Sequence, residues 1–539
     1  MTLFRIALKQ QTIGIVAMTV MGVLGGVLNT VAFVQIAGTT SAERAAFAQQ
    51  MTLLGAQLSY MLPVPIDIDT LGGYLQWRHF GSVVLVYAMW AAISASGSGR
   101  GDEERGLVEQ WIAAGVGRAR YLITRVIVFV AVATVAIGVM LLAILLVAGA
   151  EPLSAAGLFA ITVNLVATTV CCFGIGLVVA QLVTTRRNAA GIAAGVLMAL
   201  FLLNGAGRSA DVGPLRWLSA FYHFERSRPL TDGGTLDGIG VGTLLGSALV
   251  LITAGVVMFA RRDLGGTALP RRARESRATR SPSSDPLLRR PVLAPLRQQT
   301  DWVLLWLVAL VALSAFLISI TKSIVDALTS SAVPFLRAYF ERAGLSAYDS
   351  FVGVIWLSTA TLLLSVYAIT QVASWAADDA EGRLATILSA PVSRARVVLE
   401  RLATLLVAVA LIAAASSVAV YVVAAGQGIP LDRGRVALAA ALLLTIPFAF
   451  GSIGQLVAVS RPRIAVVALS AVAVFSYFVQ QFAPLFQWPD WVANLSLYTL
   501  YGMPMSGEIS WAGVATLVGI GAAATLVSMA ALRRRDVGA

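Results

Sequence analysis

The chain has 539 residues, of which 58% are hydrophobic and only 12% are charged, whereas about 25% of the residues in soluble domains are charged. This composition excludes a soluble globular protein and predicts a polytopic membrane protein. The formal net charge of +12 then follows from the orientation of the chain in a membrane, and it does not indicate a nucleic-acid partner.

Twelve segments are apolar over the roughly 20 residues that a helix needs to cross a bilayer. The predicted transmembrane helices lie near residues 13–37, 80–98, 122–148, 156–184, 189–207, 238–260, 302–321, 351–374, 402–424, 436–459, 464–485 and 510–531. Within these bounds, none of the segments has a charged residue in its interior. Charged residues inside spans mark the ion pathways of coupled carriers. The predicted fold class is therefore an all-α polytopic membrane protein.

The distribution of Lys and Arg predicts the orientation, because cytoplasmic loops retain positive charge. With a cytoplasmic N-terminus, the cytoplasmic segments contain 28 of the 39 Lys and Arg residues. Both termini are then cytoplasmic, and the long segments 38–79 and 322–350 are external. The scarcity of lysine beside abundant Arg, Ala and Val favours a GC-rich bacterium, and hence the bacterial plasma membrane.

The sequence contains an internal repeat with an offset of about 276 residues. The phrase Arg118-Ala-Arg120 before the third span recurs as Arg394-Ala-Arg396 before the ninth, and RRDLG at 261–265 recurs as RRDVG at 534–538. Because each repeat has six spans, the two halves have the same orientation and form a parallel repeat. We predict a first transmembrane domain at 1–265, an Arg/Ser/Pro-rich cytoplasmic linker at 266–296 and a second transmembrane domain at 297–539.

A short amphipathic helix is predicted in the cytoplasmic loop after the second span of each half. An acidic cluster is expected to begin this helix, where carboxylates interact favourably with the helix dipole. The apolar residues are Leu107, Trp111 and Ile112 in the first copy, and Leu384, Ile387 and Leu388 in the second. One such loop is explained by anchoring at the lipid headgroups, but two copies at matched positions favour docking on a soluble partner.

The sequence has no nucleotide-binding P-loop, which requires the pattern G-x-x-x-x-G-K-[ST]. Its two lysines, Lys9 and Lys322, do not follow such glycines. The two histidines, His79 and His223, have no cluster of metal-ligand residues around them in the sequence, so no metal site is predicted. An energy source in another polypeptide is therefore expected.

The pattern acid-x-Gly-x-Leu followed by Pro-Val-Ser-Arg, from Glu381 to Arg394 and more loosely from Arg105 to Arg118, resembles the second-to-third-span loop of ABC-2-type permeases. The fused layout is similar to the double-length subfamily described as exporters of polyketide antibiotics, over nearly the whole chain. The resemblance implies two parallel six-helix ABC-2 repeats of the type V exporter kind, and a permease rather than an enzyme. It also implies two ABC ATPase subunits, expected as a homodimer, that hold ATP and Mg, with no cofactor on this chain.

By this resemblance, the two loops act as coupling helices for the ATPase subunits. The residues assigned to coupling are Glu104, Arg105, Leu107, Trp111, Ile112, Arg118, Arg120, Glu381, Leu384, Ile387, Leu388, Pro391, Arg394 and Arg396. The first copy has Gly115 in place of the proline and Arg105 in place of the acid, so unequal coupling by the two halves is expected. Segments 1–12 and 286–301 would be amphipathic connecting helices along the inner membrane surface.

The resemblance also implies a substrate cavity at the axis between the halves, formed by spans 1, 2, 5, 7, 8 and 11. Candidate substrate-binding residues are Tyr87, Trp90, Phe201, Asn204, Trp356, Phe475, Phe478 and Gln481. An aromatic wall with a few amides suits a large amphipathic molecule, such as an antibiotic or another drug. Aromatic residues in spans nevertheless often face lipid or pack against other helices.

Two other classes of protein remain open from the residues. A major facilitator transporter also has twelve spans in parallel halves, and residues 101–106 loosely match its loop motif, but the lack of charge inside the spans opposes this class. A membrane-embedded transferase would need a catalytic cluster at one membrane face. Asp67 and Asp69 are the nearest approach to such a cluster, and we interpret them as part of a loop turn.

Overall fold

The chain forms two compact units, Met1–Ser276 and Arg277–Ala539, in the computed structural model. The boundary between the units falls inside the predicted linker 266–296, of which residues 269–292 lie outside the described part of the chain. The structure describes residues 2–57, 63–149, 151–209, 213–268, 293–329, 348–380, 382–483, 486 and 488–535.

Among these residues, twelve helices are long and apolar enough to cross a membrane, which confirms the predicted fold class. We number them as spans 1 to 12. In the first unit they are Leu3–Ala37, Leu71–Glu104, Arg118–Ala148, Ala155–Leu182, Arg186–Arg208 and Gly238–Arg261. In the second unit they are Thr300–Ser319, Tyr348–Asp379, Arg394–Gly426, Arg433–Ser460, Ile464–Phe482 and Trp511–Arg534. The protein is therefore a multi-pass membrane protein.

Shorter elements connect the spans. In the first unit they are the helices Ser41–Gln57, Leu107–Ala113, Gly213–Arg216 and Ala220–Glu225. In the second unit they are the helices Leu293–Gln298, Arg383–Leu388 and Asp490–Ala493, and an antiparallel pair of strands, Gly502–Met503 and Glu508–Ile509.

The spans of each unit pack in the same pairs, as an internal repeat requires. In the first unit the most extensive contacts join span 1 to span 3, span 4 to span 6, and span 2 to span 4. In the second unit they join span 7 to span 9, span 10 to span 12, and span 8 to span 10. Spans 3 and 4 also pack through buried aromatic rings, because Phe129 stacks on Phe173 with 4.2 Å between ring centroids. The neighbouring Cys171 and Cys172 are free and buried.

Span 10 is not the continuous helix that the sequence predicts at 436–459. It consists of the helices Arg433–Leu442 and Thr445–Ser460, with a turn at Leu443 and Leu444 between them. Pro447 explains the break, because a proline ring clashes with the carbonyl four residues earlier and cannot donate the helical hydrogen bond.

Span 2 is longer than the predicted segment 80–98. It extends from Leu71 to Glu104 and includes two π-helical segments, Leu75–Phe80 and Gly97–Gly101. The apolar window misses both ends because Arg78 and the sequence from Arg100 onward are charged. The helix continues because its charged residues form ion pairs and hydrogen bonds, which are described below for the end at Glu104.

The predicted connecting helix at 1–12 is not a separate element. Residues 2–37 form one helix, Thr2–Ala37, because neither proline nor glycine interrupts the sequence before Gly14. In the second half, Leu293–Gln298 is a separate short helix before Thr300–Thr329, and residues 286–292 of the predicted connecting helix lie outside the described residues.

Candidate functional site

Each unit has a short helix directly after its second span, Leu107–Ala113 in the first and Arg383–Leu388 in the second. We call these the short loop helices. Each begins after a glycine with a left-handed backbone, Gly106 with φ 67° and Gly382 with φ 73°. Other residues pay roughly 1–2 kcal/mol for this conformation, so the matched glycines set the same sharp turn in both halves.

The sequence analysis predicted that the acidic residues begin the short loop helices, and this prediction is wrong. Asp102 and Glu103 lie in the last turn of the long helix of span 2, and Asp378 and Asp379 lie in the last turns of span 8. A carboxylate near the C-terminal end of a helix interacts unfavourably with the helix dipole. These side chains therefore depend on cationic partners from other helices.

In the first unit, arginines from three helices surround the two carboxylates. Arg125 Nη2 lies 3.0 Å from Asp102 Oδ2, and Arg262 Nη2 lies 2.6 Å from Glu103 Oε1. Arg100 Nη1 lies 2.8 Å from the other oxygen of Glu103. All five side chains are at most 4% exposed. We call this group the first arginine–carboxylate cluster, and it joins the ends of spans 2 and 6 to the start of span 3.

The second unit reproduces two of these ion pairs at matched positions of the repeat. Asp378 pairs with Arg401 at 3.3 Å, and Asp379 pairs with Arg535 at 2.8 Å. This second arginine–carboxylate cluster is more accessible, because Arg535 is 33% exposed and Asp378 is 23% exposed. Ala376 occupies the position that matches Arg100, so the second cluster has one cation fewer than the first.

The first arginine of the repeated phrase also bonds to the last span of its own unit. Arg118 Nη1 donates to the carbonyl oxygen of Arg262 at 2.6 Å. Arg394 Nη1 donates to the carbonyl oxygens of Leu532 at 2.7 Å and Arg535 at 2.6 Å. Cations stabilise helix C-termini, so these contacts fasten the last span beside the loop. Sequence analysis found both repeated phrases but did not predict that they contact each other; the recurrence of both phrases in the two halves was the available signal.

The second arginines of the phrase, Arg120 and Arg396, are exposed. Arg396 Nε pairs with Glu400 Oε1 at 2.5 Å, one helical turn further along span 9. Neither side chain belongs to the buried contacts of the two arginine–carboxylate clusters.

The apolar residues of the short loop helices divide between two environments. Leu384 is only 2% exposed and Val108, at the matched position, is fully buried, so both hold their helix against its own unit. Leu388 packs partly buried against the core of the second unit. Ile387 is 42% exposed, and Trp111 at the matched position is partly exposed. The expectation that Leu384 faces a partner is therefore wrong, and Ile387 and Trp111 are the side chains available for one.

Other predicted coupling residues bond within the first unit. Glu104 Oε1 accepts a hydrogen bond from the backbone N–H of Arg186 at 2.6 Å, which links the loop to span 5. Arg105 pairs with Asp102 at 2.6 Å. Leu107 and Ile112 are half-buried and Pro391 is exposed. Glu381 lies outside the described residues.

The candidate substrate residues of the first unit are mainly packing residues. The Tyr87 hydroxyl donates to the carbonyl oxygen of Met18 at 3.1 Å, and both Tyr87 and Trp90 are buried. Phe201 is half-buried and lies edge-on to Phe221, with 5.3 Å between ring centroids. Asn204 is 1% exposed and bonds to side chains that are described below.

In the second unit, Trp356 is fully buried and its Nε1 donates to Ser416 Oγ at 2.8 Å. The three candidates on span 11 differ from it. Phe475 is 49% exposed, Phe478 is half-buried, and Gln481 is exposed and donates to the Tyr477 hydroxyl at 3.1 Å. The structure thus brings Phe475, Phe478 and Gln481 together on one helix, and it places Trp356 inside the helix packing.

Two family models match the chain, one on each half. The model of the ABC-2 type transporter matches residues 2–230. The model of the C-terminal domain of the multidrug efflux system permease Rv1217c matches residues 288–533. None of the curated proteins compared with the chain matches it. Neither model describes a major facilitator transporter or a transferase, the two alternatives that the residues left open. The chain is a permease of the ABC-2 transporter family.

Proposed function

We propose that this permease exports amphipathic molecules, such as antibiotics or other drugs, and that two ABC ATPase subunits dock on its two short loop helices. The observation that carries the proposal is the matched pair Ile387 and Trp111. Both are apolar side chains with exposed surface, on helices that the buried Leu384 and Val108 hold against their own units. An exposed apolar residue on a well-held helix is suited to fill a pocket on a partner.

The arginine–carboxylate clusters give each short loop helix a mechanical connection to the spans. In the first unit, Glu103 at the end of span 2 bonds to Arg262 at the end of span 6, and Arg118 at the start of span 3 bonds to the same segment. A displacement of the short loop helix is then passed to three spans together. ATP and Mg are held by the ATPase subunits, and this chain supplies the docking surface and the substrate path.

An aromatic series beside span 11 supports an amphipathic substrate. Phe478 stacks on Phe482 at 5.9 Å, Phe482 on Phe486 at 5.8 Å, and Phe486 on Trp488 at 5.9 Å between ring centroids. Phe475 precedes this series with 49% of its surface exposed. Stacked rings offer a large apolar surface with little demand for a particular shape, which suits a permease with several substrates.

We expect the purified permease alone to hydrolyse no ATP, and hydrolysis to appear when its ATPase partner is added. The reason is that the chain contains no P-loop pattern. The measurement is phosphate release in nanodiscs with the permease, the ATPase or both, together with the mass of the complex, which gives the number of ATPase subunits. Robust turnover by the permease alone, free of contaminating ATPase, would remove the proposal.

The proposed orientation places both termini in the cytoplasm. Single cysteines at Asp232 and Ser283, with Cys171 and Cys172 replaced by alanine, are expected to differ in labelling by an impermeant maleimide added to whole cells. Asp232 is exposed between the helix Ala220–Glu225 and span 6, whereas Ser283 lies in the predicted linker, outside the described residues. Labelling at 232 alone is expected, and labelling at 283 alone would invert the orientation.

A further inference from the structure

A separate cleft lies in the first unit, at the helix ends opposite the first short loop helix. It has a volume of about 630 Å³ and is lined on several sides by charged residues. Those charged residues are Arg208, Arg216, Arg226, Arg228, Glu225 and Asp237. Four arginines against two carboxylates give this lining an excess of positive charge.

Glu225 is already fully engaged by the residues around it. Its Oε1 accepts a hydrogen bond from Asn204 Nδ2 at 2.8 Å. Its Oε2 lies 2.5 Å from Arg208 Nη1 and 3.3 Å from Arg216 Nη2. Asn204 Oδ1 in turn accepts from Arg216 Nε at 3.1 Å. This carboxylate therefore fixes two arginines in place and leaves little capacity for a further donor.

Asp237 is engaged in the same way. It accepts a hydrogen bond from Arg226 and caps span 6 by accepting from the backbone N–H groups of Ile239 at 3.3 Å and Gly240 at 3.1 Å. The hydrogen bond from Arg226 holds the pKa of Asp237 below its usual range, so this group is a carboxylate at neutral pH. Its oxygens are committed to the helix end and to one arginine.

Arg228 has N–H donors that these two carboxylates do not use. Arg228 is exposed and its side chain makes no hydrogen bond or ion pair with the residues that the structure describes. Arg226 lies over the rings of Trp217 and Tyr222, at 5.4 and 5.8 Å from their centroids. A guanidinium has five N–H donors, so the donors of Arg228 are available to a ligand with acceptor oxygens.

The charges from Glu225 to Arg228 are not repeated in the second unit. Ser219 donates to the carbonyl oxygen of Leu200 at 2.8 Å, and Ser496 donates to that of Ser476 at 2.9 Å, which matches the two loops at an offset of 277. At this offset, the segment from Glu225 to Arg228 corresponds to Gly502, Met503, Pro504 and Met505. The second unit has uncharged residues at these positions and forms a strand pair there instead of a helix, so the charges are particular to the first unit.

We propose that this cleft binds a phosphate group, either in a phospholipid headgroup or in a soluble phosphate. Arginine recognises phosphate through paired N–H donors, and the cleft presents several such groups around one volume. Exposed apolar residues directly follow lining residues in the chain and would contact an attached acyl chain: Trp217 is 48% and Leu218 71% exposed after Arg216, and Ile239 is 63% exposed after Gly238. The proposal does not depend on ATPase docking, because the cleft belongs to the permease alone.

The test uses the full-length permease in a non-ionic detergent, without an ATPase. Three probes are titrated: dioleoyl phosphatidic acid, dioleoylglycerol as the same lipid without phosphate, and inorganic phosphate. The readouts are bound lipid by native mass spectrometry and the shift in melting temperature. We expect saturable binding of phosphatidic acid and not of dioleoylglycerol.

Arg228→Gln and Arg228→Glu are the test variants, because the Arg228 side chain makes no hydrogen bond or ion pair with the described residues whose loss would disturb folding. Removing one exposed charge pair is expected to weaken phosphatidic acid binding about two- to fivefold, and charge reversal is expected to weaken it further. Arg78→Gln is the matched control, because Arg78 is an exposed arginine at the same end of the unit but outside the cleft lining.

The probes separate the two sources of phosphate. Binding of phosphatidic acid alone identifies a headgroup site, and competition by inorganic phosphate shows that the phosphate itself suffices. The proposal is overturned if dioleoylglycerol binds equally well, if no probe saturates, or if Arg228→Glu binds like the wild type or like Arg78→Gln.

Discussion

Replacing Arg262 by alanine is expected to destabilise the first unit by about 3–5 kcal/mol, the usual cost of removing one partner from a buried ion pair. Arg262 lies 2.6 Å from Glu103, and both side chains are at most 3% exposed. The guanidinium also donates to Gln181 Oε1 at 2.9 Å and to the carbonyl oxygen of Gly266 at 3.1 Å. Unfolding of the purified permease in a denaturing detergent, followed by circular dichroism, measures the change.

The repeat supplies a matched control in Arg535→Ala. The pair of Arg535 with Asp379 has a similar distance, 2.8 Å, but Arg535 is 33% exposed. Ion pairs with access to solvent contribute about 0.2–1 kcal/mol, so a much smaller loss is expected. Equal losses in the two variants would show that burial does not distinguish the clusters. Combining Arg262→Met with both Glu103→Leu and Arg100→Met should recover much of the stability, because all three charges of this buried group are then removed together.

Replacing Ile387 by aspartate is expected to separate ATP hydrolysis from transport, or to detach the ATPase. An apolar anchor at an interface typically contributes about 1–3 kcal/mol, which is roughly 5- to 150-fold in affinity. Ile387 is a sharper target than Leu388, because Leu388 also packs against the core of its own unit. Substrate-stimulated ATPase activity and co-purification of the partner measure the effect, with membrane insertion unchanged.

Two variants control this experiment. Thr386→Asp places the same charge on a neighbouring exposed position without removing an apolar anchor, so a smaller loss is expected. Trp111→Asp tests the first short loop helix, where Gly115 and Arg105 depart from the second copy and lead us to expect weaker coupling. If Ile387→Asp and Trp111→Asp both keep wild-type stimulation and partner recovery, the short loop helices are only anchors at the lipid headgroups.

The spans and the repeat could be predicted from the sequence because both depend on local patterns. The length of an apolar segment identifies a membrane helix without knowledge of its neighbours. The recurrence of the phrase at Arg118 as the phrase at Arg394 aligns the two halves. The arginine–carboxylate clusters could not be predicted in this way. Glu103 and Arg262 are separated by 159 residues, and no local periodicity indicates that the ends of spans 2 and 6 meet.

The sequence also did not predict which apolar side chains of a short loop helix are buried and which are exposed. Leu384 and Ile387 are one turn apart and equally apolar, yet one is 2% exposed and the other 42%. A helical period shows that both could lie on one face, but only packing shows which of them the unit itself covers. Trp356 is a further example. From the sequence, its ring could line a substrate cavity or pack between helices, and in the structure it packs between helices.

The first helix, Thr2–Ala37, is a single rod of 36 residues. At 1.5 Å per residue it is about 54 Å long, whereas the hydrocarbon layer is about 30 Å thick. Even when tilted, such a rod projects beyond the layer, and it has no joint at the membrane boundary at which its outer segment could bend independently. A change of tilt must therefore swing the segment around Phe4 and Arg5 and the opposite end at Ala37 in opposite directions, so that the rod acts as a lever pivoting in the bilayer.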